Sequence, residues 1–188
     1  MPTVTESLEI AGVYVADPDV FDDQRGSFIE AYRREWFPQG GEMVQANRAD
    51  RVAGCLVGLH YHLHQSDYWY VLVGTARVVL HDLRVGSPTD GATQVFELGA
   101  RPGGGHDHRG VFIPPGVAHG FAAITDMTIA YLVDGYYDPD DELGVAWDDP
   151  AVRADWGVTD PVLSKRDQTN PPRADLPVER RPRYAMRV

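Results

Sequence analysis

The chain has 188 residues, enough for one domain with a substantial core, and a second domain would have to be very small. Its formal net charge is −11, which argues against nucleic acid or an anionic membrane surface as partner but leaves room for a local cationic pocket. The single cysteine, Cys55, excludes an intramolecular disulfide; no leader-like segment opens the chain and no apolar run approaches the roughly 20 residues of a membrane span, so the cytoplasm is the expected location.

Taken in chain order, Leu8 to Val15 reads as a first strand, Val20 to Gly26 as a turn with an Arg-Gly tip, and Ser27 to Tyr32 as a second strand. Arg33 to Phe37 reads as one helical turn before Pro38-Gln39-Gly40-Gly41. Strand signals then follow closely: Met43–Arg48, Gly54–His62, Tyr68–Val73, Thr75–Leu83, Thr93–Leu98, Val111–Ile113, Ala118–Ile124 and Met127–Val133. Gly74 reads as a hairpin residue, and Gly103-Gly104-Gly105 as a flexible connection rather than a phosphate cradle, because no helix pattern follows it. The best helix candidate is Asp149 to Asp155, with Asp148 as its cap. From about residue 170 the chain turns proline-rich and basic and reads as an extended tail, residues 171–188, on a body of residues 1–170. Many short strands, little helix, 19 Gly and 14 Pro imply a single-domain, all-β barrel or jelly roll with short peripheral helices, a type that can hold a ligand among its inward side chains.

The richest chemistry lies in Gly58-Leu59-His60-Tyr61-His62-Leu63-His64-Gln65. Alternate residues of a strand share a face, so His60, His62 and His64 are expected to crowd one side of a sheet. Imidazoles pointing into a barrel make either a proton-transfer site or a metal site.

Motifs along the chain separate these readings. In order they are Phe21-Asp22-Asp23-Gln24-Arg25-Gly26-Ser27-Phe28-Ile29-Glu30, Gln45-Ala46-Asn47, Gly58-Leu59-His60-Tyr61 and Asp82-Leu83-Arg84-Val85-Gly86-Ser87-Pro88-Thr89. Then come Ile113-Pro114-Pro115-Gly116-Val117-Ala118-His119-Gly120-Phe121, Tyr131 with Tyr136-Tyr137, Trp147-Asp148-Asp149-Pro150 with Trp156, and Leu163-Ser164-Lys165-Arg166-Asp167. From about residue 20 to 167 this series resembles the dTDP-4-dehydrorhamnose 3,5-epimerases. The resemblance implies a jelly-roll homodimer that binds a dTDP-4-keto-6-deoxyhexose and inverts C3, C5 or both, with no metal or organic cofactor. It implies His60 as the base, Asp167 as the carboxylate that orients it, and Tyr131 as the acid on the opposite face of the sugar. It also places Arg25, Phe28, Glu30, Gln45, Asn47, His62, His119 and Tyr137 at the substrate. The chemistry suits these types: an imidazole with an ordinary pKa of about 6.5 can take a proton beside a carbonyl at neutral pH.

The resemblance breaks at two positions, where Val57 stands for the family's diphosphate arginine and Asp67 for a lysine beside the ketone oxygen. Losing such a cation is expected to cost about 10²–10³ in rate. The same departures open alternatives. His60, His62, Asp67 and His119 resemble the three-histidine, one-carboxylate metal set of cupin enzymes, suited to Fe, Mn, Ni or Zn. A sugar-nucleotide binder without catalysis is the other.

Overall fold

A computed structural model describes residues 1–184. Fourteen strands account for its regular structure: β1 Thr3–Glu6, β2 Tyr14–Asp17, β3 Val20–Asp23, β4 Gly26–Ile29, β5 Gln45–Arg51, β6 Leu56–Tyr61 and β7 Asp67–Val73, then β8 Thr75–Asp82, β9 Thr93–Ala100, β10 His106–Asp107, β11 Gly110–Ile113, β12 Val117–Ala123, β13 Met127–Val133 and β14 Leu143–Gly144. Twelve of them form two six-stranded antiparallel sheets, in the orders β1-β2-β11-β7-β13-β5 and β10-β9-β8-β12-β6-β14. The β3–β4 hairpin pairs with neither. The sheets pack face to face as a jelly roll.

Period-two patterning explains the packing. Val71, Val111, Ile113 and Ile129 from the first sheet meet Val78, Leu80, Leu98 and Phe121 from the second in one buried core. The outer faces are covered as well, which is why these strands are nearly continuously apolar. Tyr68, Tyr70 and Phe112 on the outside of the first sheet lie under Trp36 and Phe37. There the Tyr68 hydroxyl donates to the Ala31 carbonyl at 2.6 Å. Leu56, Leu59, Tyr61 and Ala118 on the outside of the second sheet lie under Val145, Val152, Trp156 and Leu176.

The basic C-terminal segment runs back over the body. Arg173 and Arg181 both reach Asp90, and Val85 donates its N–H to Pro182 O at 2.8 Å. Residues 185–188 of the expected tail lie outside the described residues.

Three expected elements are corrected. Val20 to Gly26 is not simply a turn: Val20–Asp23 is strand β3, paired with Gly26–Ile29, and only the tip between them turns. Leu8 to Val15 is not one strand: Ser7 Oγ accepts the N–H groups of Glu9 and Ile10, the chain turns there, and Leu8 is fully exposed. Asp149 to Asp155 forms turns rather than a helix. The Asp149 carboxylate takes the Ala151 N–H, and Arg153 sits at φ 52°, in the left-handed region that ends a helix. The helices present are single 3₁₀ turns such as Arg34–Trp36 and Asp167–Thr169. No helix of the described residues is long and apolar enough to cross a membrane.

Candidate active site

The site begins at an irregularity in β6. On β12, His119 and Phe121 are two residues apart, yet they pair with His60 and Val57, which are three apart. The extra residue on β6 is a bulge centred on Gly58, and it resets the strand's alternation. Val57 joins the core between the sheets, and beyond the bulge Leu59 and Tyr61 join the outer cluster, so His60 turns inward. Only glycines permit it. A Cβ on Gly58 would lie 2.7 Å from Gly120 Cα, one on Gly120 would lie 2.6 Å from Val57 O, and Gly58 has φ +114°.

His60 meets a carboxylate from the C-terminal segment, 107 residues away in sequence: its Nε2 lies 2.6 Å from Asp167 Oδ1. Asp167 is buried, and its other oxygen accepts the Ser164 hydroxyl at 2.8 Å. Burial by itself would raise the Asp167 pKa; hydrogen bonds from His60, Ser164 and the Gly58 backbone outweigh it and hold the group below the usual carboxylate range. Asp167 is therefore ionised at neutral pH, and His60 donates Nε2–H to it. Nδ1 is left as the basic nitrogen.

Tyr131 faces this pair from the opposite sheet. It pairs in register with Trp69 and Asn47 and packs on the core between the sheets. The Trp69 indole contacts the His119 ring edge to face at 5.1 Å, and His119 is the cross-strand neighbour of His60. His60 and Tyr131 thus stand on facing sheets, linked through Trp69 and His119. Burial pushes the Tyr131 phenol up, Asp67 pushes it further, and Arg51 opposes them, so the phenol keeps its proton.

Beneath them lie His62, Asp67 and His119, whose ligand atoms all fall within 4.8 Å of one another and which are all buried. His62 Nε2 is 3.9 Å from Asp67 Oδ1, and His119 Nε2 is 4.0 Å from Asp67 Oδ2. His60 is not in this group, so the four-residue metal set expected from the sequence is reduced to three. His64 points instead to the rim of an opening of about 280 Å³, lined also by His62, Gln65, Asp134, Asp141 and Glu142.

Besides His62 and His119, the expected substrate residues fall into two sets. Gln45 and Asn47 sit on the inward row of β5 and share a hydrogen bond of 2.9 Å. The other set lies apart. Arg25 is at the hairpin tip, 85% exposed and paired to Asp23; Phe28 is 65% exposed; Glu30 is engaged by Arg33; and Tyr137 is 68% exposed. Asp141 and Arg51 lie outside every motif named above, and Ser164 stands within one. Asp141 binds the Leu63 and His64 N–H groups while its carbonyl takes His62 Nδ1, and Ser164 steadies Asp167. Arg51 extends the inward row of Gln45, Asn47 and Ala49, and that alternation is the signal that could have found it.

The family model for dTDP-4-dehydrorhamnose 3,5-epimerase matches residues 7–175. The dTDP-4-dehydrorhamnose 3,5-epimerase of Shigella flexneri is 34% identical over 167 residues, 85% of this chain and 90% of that protein. Among solved structures, the Legionella pneumophila dTDP-6-deoxy-D-glucose-3,5-epimerase in complex with dTDP-4-keto-L-rhamnose superposes with a TM-score of 0.88. It is 30% identical and covers 98% of this chain and 100% of its own. NovW, a 4-keto-6-deoxy sugar epimerase of the novobiocin cluster of Streptomyces spheroides, gives a TM-score of 0.84 at 34% identity, with coverage of 93% and 88%. The chain belongs to the dTDP-4-dehydrorhamnose 3,5-epimerase family.

Proposed function

We propose that the protein is an epimerase of deoxysugar biosynthesis that inverts a carbon beside the ketone of a dTDP-4-keto-6-deoxyhexose. The observation that carries this reading is the short His60–Asp167 bond, on the sheet facing the one that carries Tyr131. His60 Nδ1 takes the proton from the carbon next to the ketone, and the electron pair passes to the ketone oxygen as an enolate. Asp167 stabilises the imidazolium through Nε2–H. The Tyr131 hydroxyl then gives its proton to the opposite face of the same carbon, the C–H bond reforms inverted, and exchange with water resets both side chains. A phenol suits this step because burial keeps it protonated until the enolate forms.

The diphosphate lies on the Arg51 side of the cavity, along the row that carries Gln45 and Asn47. The other rim carries Asp134, Asp138, Asp141 and Glu142 and would repel it. Arg25, Phe28 and Glu30 act in trans in a homodimer: their hairpin pairs with neither sheet and exposes Val20, Phe21 and Phe28, a small apolar face fit for a second copy. Tyr137 serves at the rim, beside the cavity-lining Tyr136. Residues 1–170 form the catalytic body and the following segment straps it.

The test is mass spectrometry of dTDP-4-keto-6-deoxyglucose recovered after incubation with the protein in deuterium oxide. A mass gain that depends on His60 supports the reading. Nucleotide-sugar binding without any gain would leave a binding protein and end the epimerase assignment.

A further inference from the structure

Three buried acceptors, on His62, Asp67 and His119, meet at a point where no donor stands among the described residues. His62 Nδ1 lies 2.9 Å from the Asp141 carbonyl, and His119 Nδ1 lies 2.9 Å from the Val117 carbonyl. A carbonyl only accepts, so both Nδ1 atoms carry hydrogen, and in each neutral imidazole the lone pair is on Nε2. Burial lowers the His119 pKa to about 4, so that ring is neutral at pH 7. The two Nε2 atoms stand 3.9 and 4.0 Å from the Asp67 carboxylate, beyond hydrogen-bond reach. Asp67 takes one donor on each oxygen, Gln65 Nε2 and Trp69 Nε1, both at 3.0 Å, and each oxygen has room for another. Two lone pairs and an anion are thus turned toward one place, on side chains no more than 5% exposed.

The spacing decides what fits there. One nitrogen of each histidine and one carboxylate oxygen all lie within 4.8 Å of one another. An ammonium that donates three bonds of about 2.8 Å at tetrahedral angles holds its acceptors about 4.6 Å apart. Ligands of a first-row metal ion at about 2.1 Å stand roughly 3.0–3.5 Å apart, closer than the distances found here. A hydroxyl has one hydrogen to give and leaves two of the three acceptors unmet, whereas an ammonium has three, with the charge that a buried carboxylate needs. The approach suits a cation as well: the opening of about 280 Å³ reaches the cluster at His62 and is edged by Asp134, Asp138, Asp141 and Glu142.

We propose that His62 Nε2, His119 Nε2 and the Asp67 carboxylate form an ammonium subsite, and that the preferred substrate is a 4-keto-6-deoxy sugar nucleotide with an amino group in place of the hydroxyl beside the ketone. This rests on the epimerase reading. His119 is the cross-strand neighbour of His60, and Asp67 is close enough to Tyr131 to push its phenol up, so the subsite borders the reacting carbon. Of the two carbons that flank the ketone, C5 carries the ring oxygen and the methyl group, which leaves C3 for the amine. The ammonium also serves the chemistry. When His60 removes the proton, negative charge arrives on the ketone oxygen, and the Asp67 carboxylate opposes it; an ammonium seated on Asp67 cancels that opposition. The ammonium keeps its three protons and its charge throughout.

The experiment measures, by calorimetry on the full-length protein, the binding of two stable 4-hydroxy compounds, dTDP-3-amino-3,6-dideoxyglucose and dTDP-6-deoxyglucose. The amine is expected to bind about 10–100-fold more tightly, the worth of a hydrogen-bonded charge set against a hydroxyl. In Asp67→Asn the two compounds are expected to bind alike, and binding of dTDP-6-deoxyglucose shows whether that variant is folded. Equal binding by the unaltered protein, or tighter binding of the hydroxyl compound, overturns the subsite whether or not the variant folds. A preference for the amine that survives Asp67→Asn undiminished overturns its assignment to this cluster, and binding of neither compound overturns both this inference and the reading beneath it. Solvent exchange of the 4-keto forms of the two sugars separates the two. Exchange with no preference for the amine ends the ammonium subsite and leaves the epimerase. Preference for the amine with exchange of neither 4-keto sugar ends the epimerase reading while the subsite stands.

Discussion

At the scale of single residues, the account divides the reaction between His60, which removes a proton, and Tyr131, which returns one. The two halves can be separated. Tyr131→Phe retains the base and the pocket shape, so it should still wash solvent deuterium into the substrate while inversion slows by about 10²–10⁴-fold, the usual worth of a positioned acid. Following the washed-in label and the stereochemistry in the same sample checks this. Asp167→Asn removes the charge that holds the His60 Nε2–H tautomer at 2.6 Å. It should lower kcat by as much as about 10⁴-fold, with little change in KM, because the carboxylate supports the base and does not touch the substrate. A rise in KM at constant kcat would instead make Asp167 a binding residue.

Part of this residue pattern can be read from the sequence. His60, Asp167 and Tyr131 stand in motifs specific enough to be read in order, and the folded chain joins His60 to Asp167 and sets Tyr131 on the facing sheet; their roles are those proposed above. Arg51 and Asp141 were not legible. The first shows only as the fourth member of an alternating row, and the second works through its backbone carbonyl as well as its carboxylate, which no side-chain pattern reveals. The metal set expected from His60, His62, Asp67 and His119 assumed an uninterrupted strand. The bulge at Gly58 and the pull of Asp167 assign His60 elsewhere.

At the scale of elements, the bulge and its two glycines aim the base. Gly58→Ala places a methyl 2.7 Å from Gly120 Cα, at a φ of +114°. The substitution should cost about 1–3 kcal/mol of stability and cut exchange more than stability alone explains; denaturant melts beside exchange rates measure both. A second element-level prediction concerns β8. His81 is fully buried, and its Nδ1–H reaches Thr93 Oγ1 at 2.8 Å while Nε2 has no partner among the described residues. Burial, aided by Arg173, lowers its pKa to about 4. The unfolded chain binds this proton near pH 6.5 and the native one only near pH 4, so stability is complete above about 6.5 and falls as pH drops through that window. The loss should be on the order of 3 kcal/mol, and His81→Asn should flatten the pH dependence of urea unfolding between pH 7 and 4.5. Thr3–Glu6 was missed and Val20–Asp23 was taken for a turn, but most strands between Gln45 and Val133 were readable from alternation to within a few residues. The expected helix at Asp149 was not, because one aspartate capping one turn gives the same local signal whether or not a helix follows.

At the scale of the whole molecule, two coverings turn a sandwich into an enzyme. The segment around Trp36 and Phe37 closes one outer face, and the C-terminal segment closes the other while delivering Asp167 to the site. The jelly roll itself followed from many short strands, but neither covering did, since both depend on loops folding back over long distances. The β3–β4 hairpin is the remaining exposed feature. In the homodimer proposed above, replacing Phe21 and Phe28 by serine should give a monomer in sedimentation and raise KM about tenfold or more, leaving the thermal stability of each chain close to unchanged, since both rings are exposed in the single chain. Monomer and dimer of equal KM would remove the hairpin from the substrate site.

The central claim is that His60, held by Asp167, removes a proton beside the ketone of a dTDP-linked 4-keto-6-deoxy sugar. Proton NMR of dTDP-4-keto-6-deoxyglucose in deuterium oxide, with the unaltered protein and with His60→Ala, tests it most directly. Loss of the C3 signal, the C5 signal or both is expected with the unaltered protein, and no loss with His60→Ala. Exchange that survives His60→Ala undiminished would contradict it.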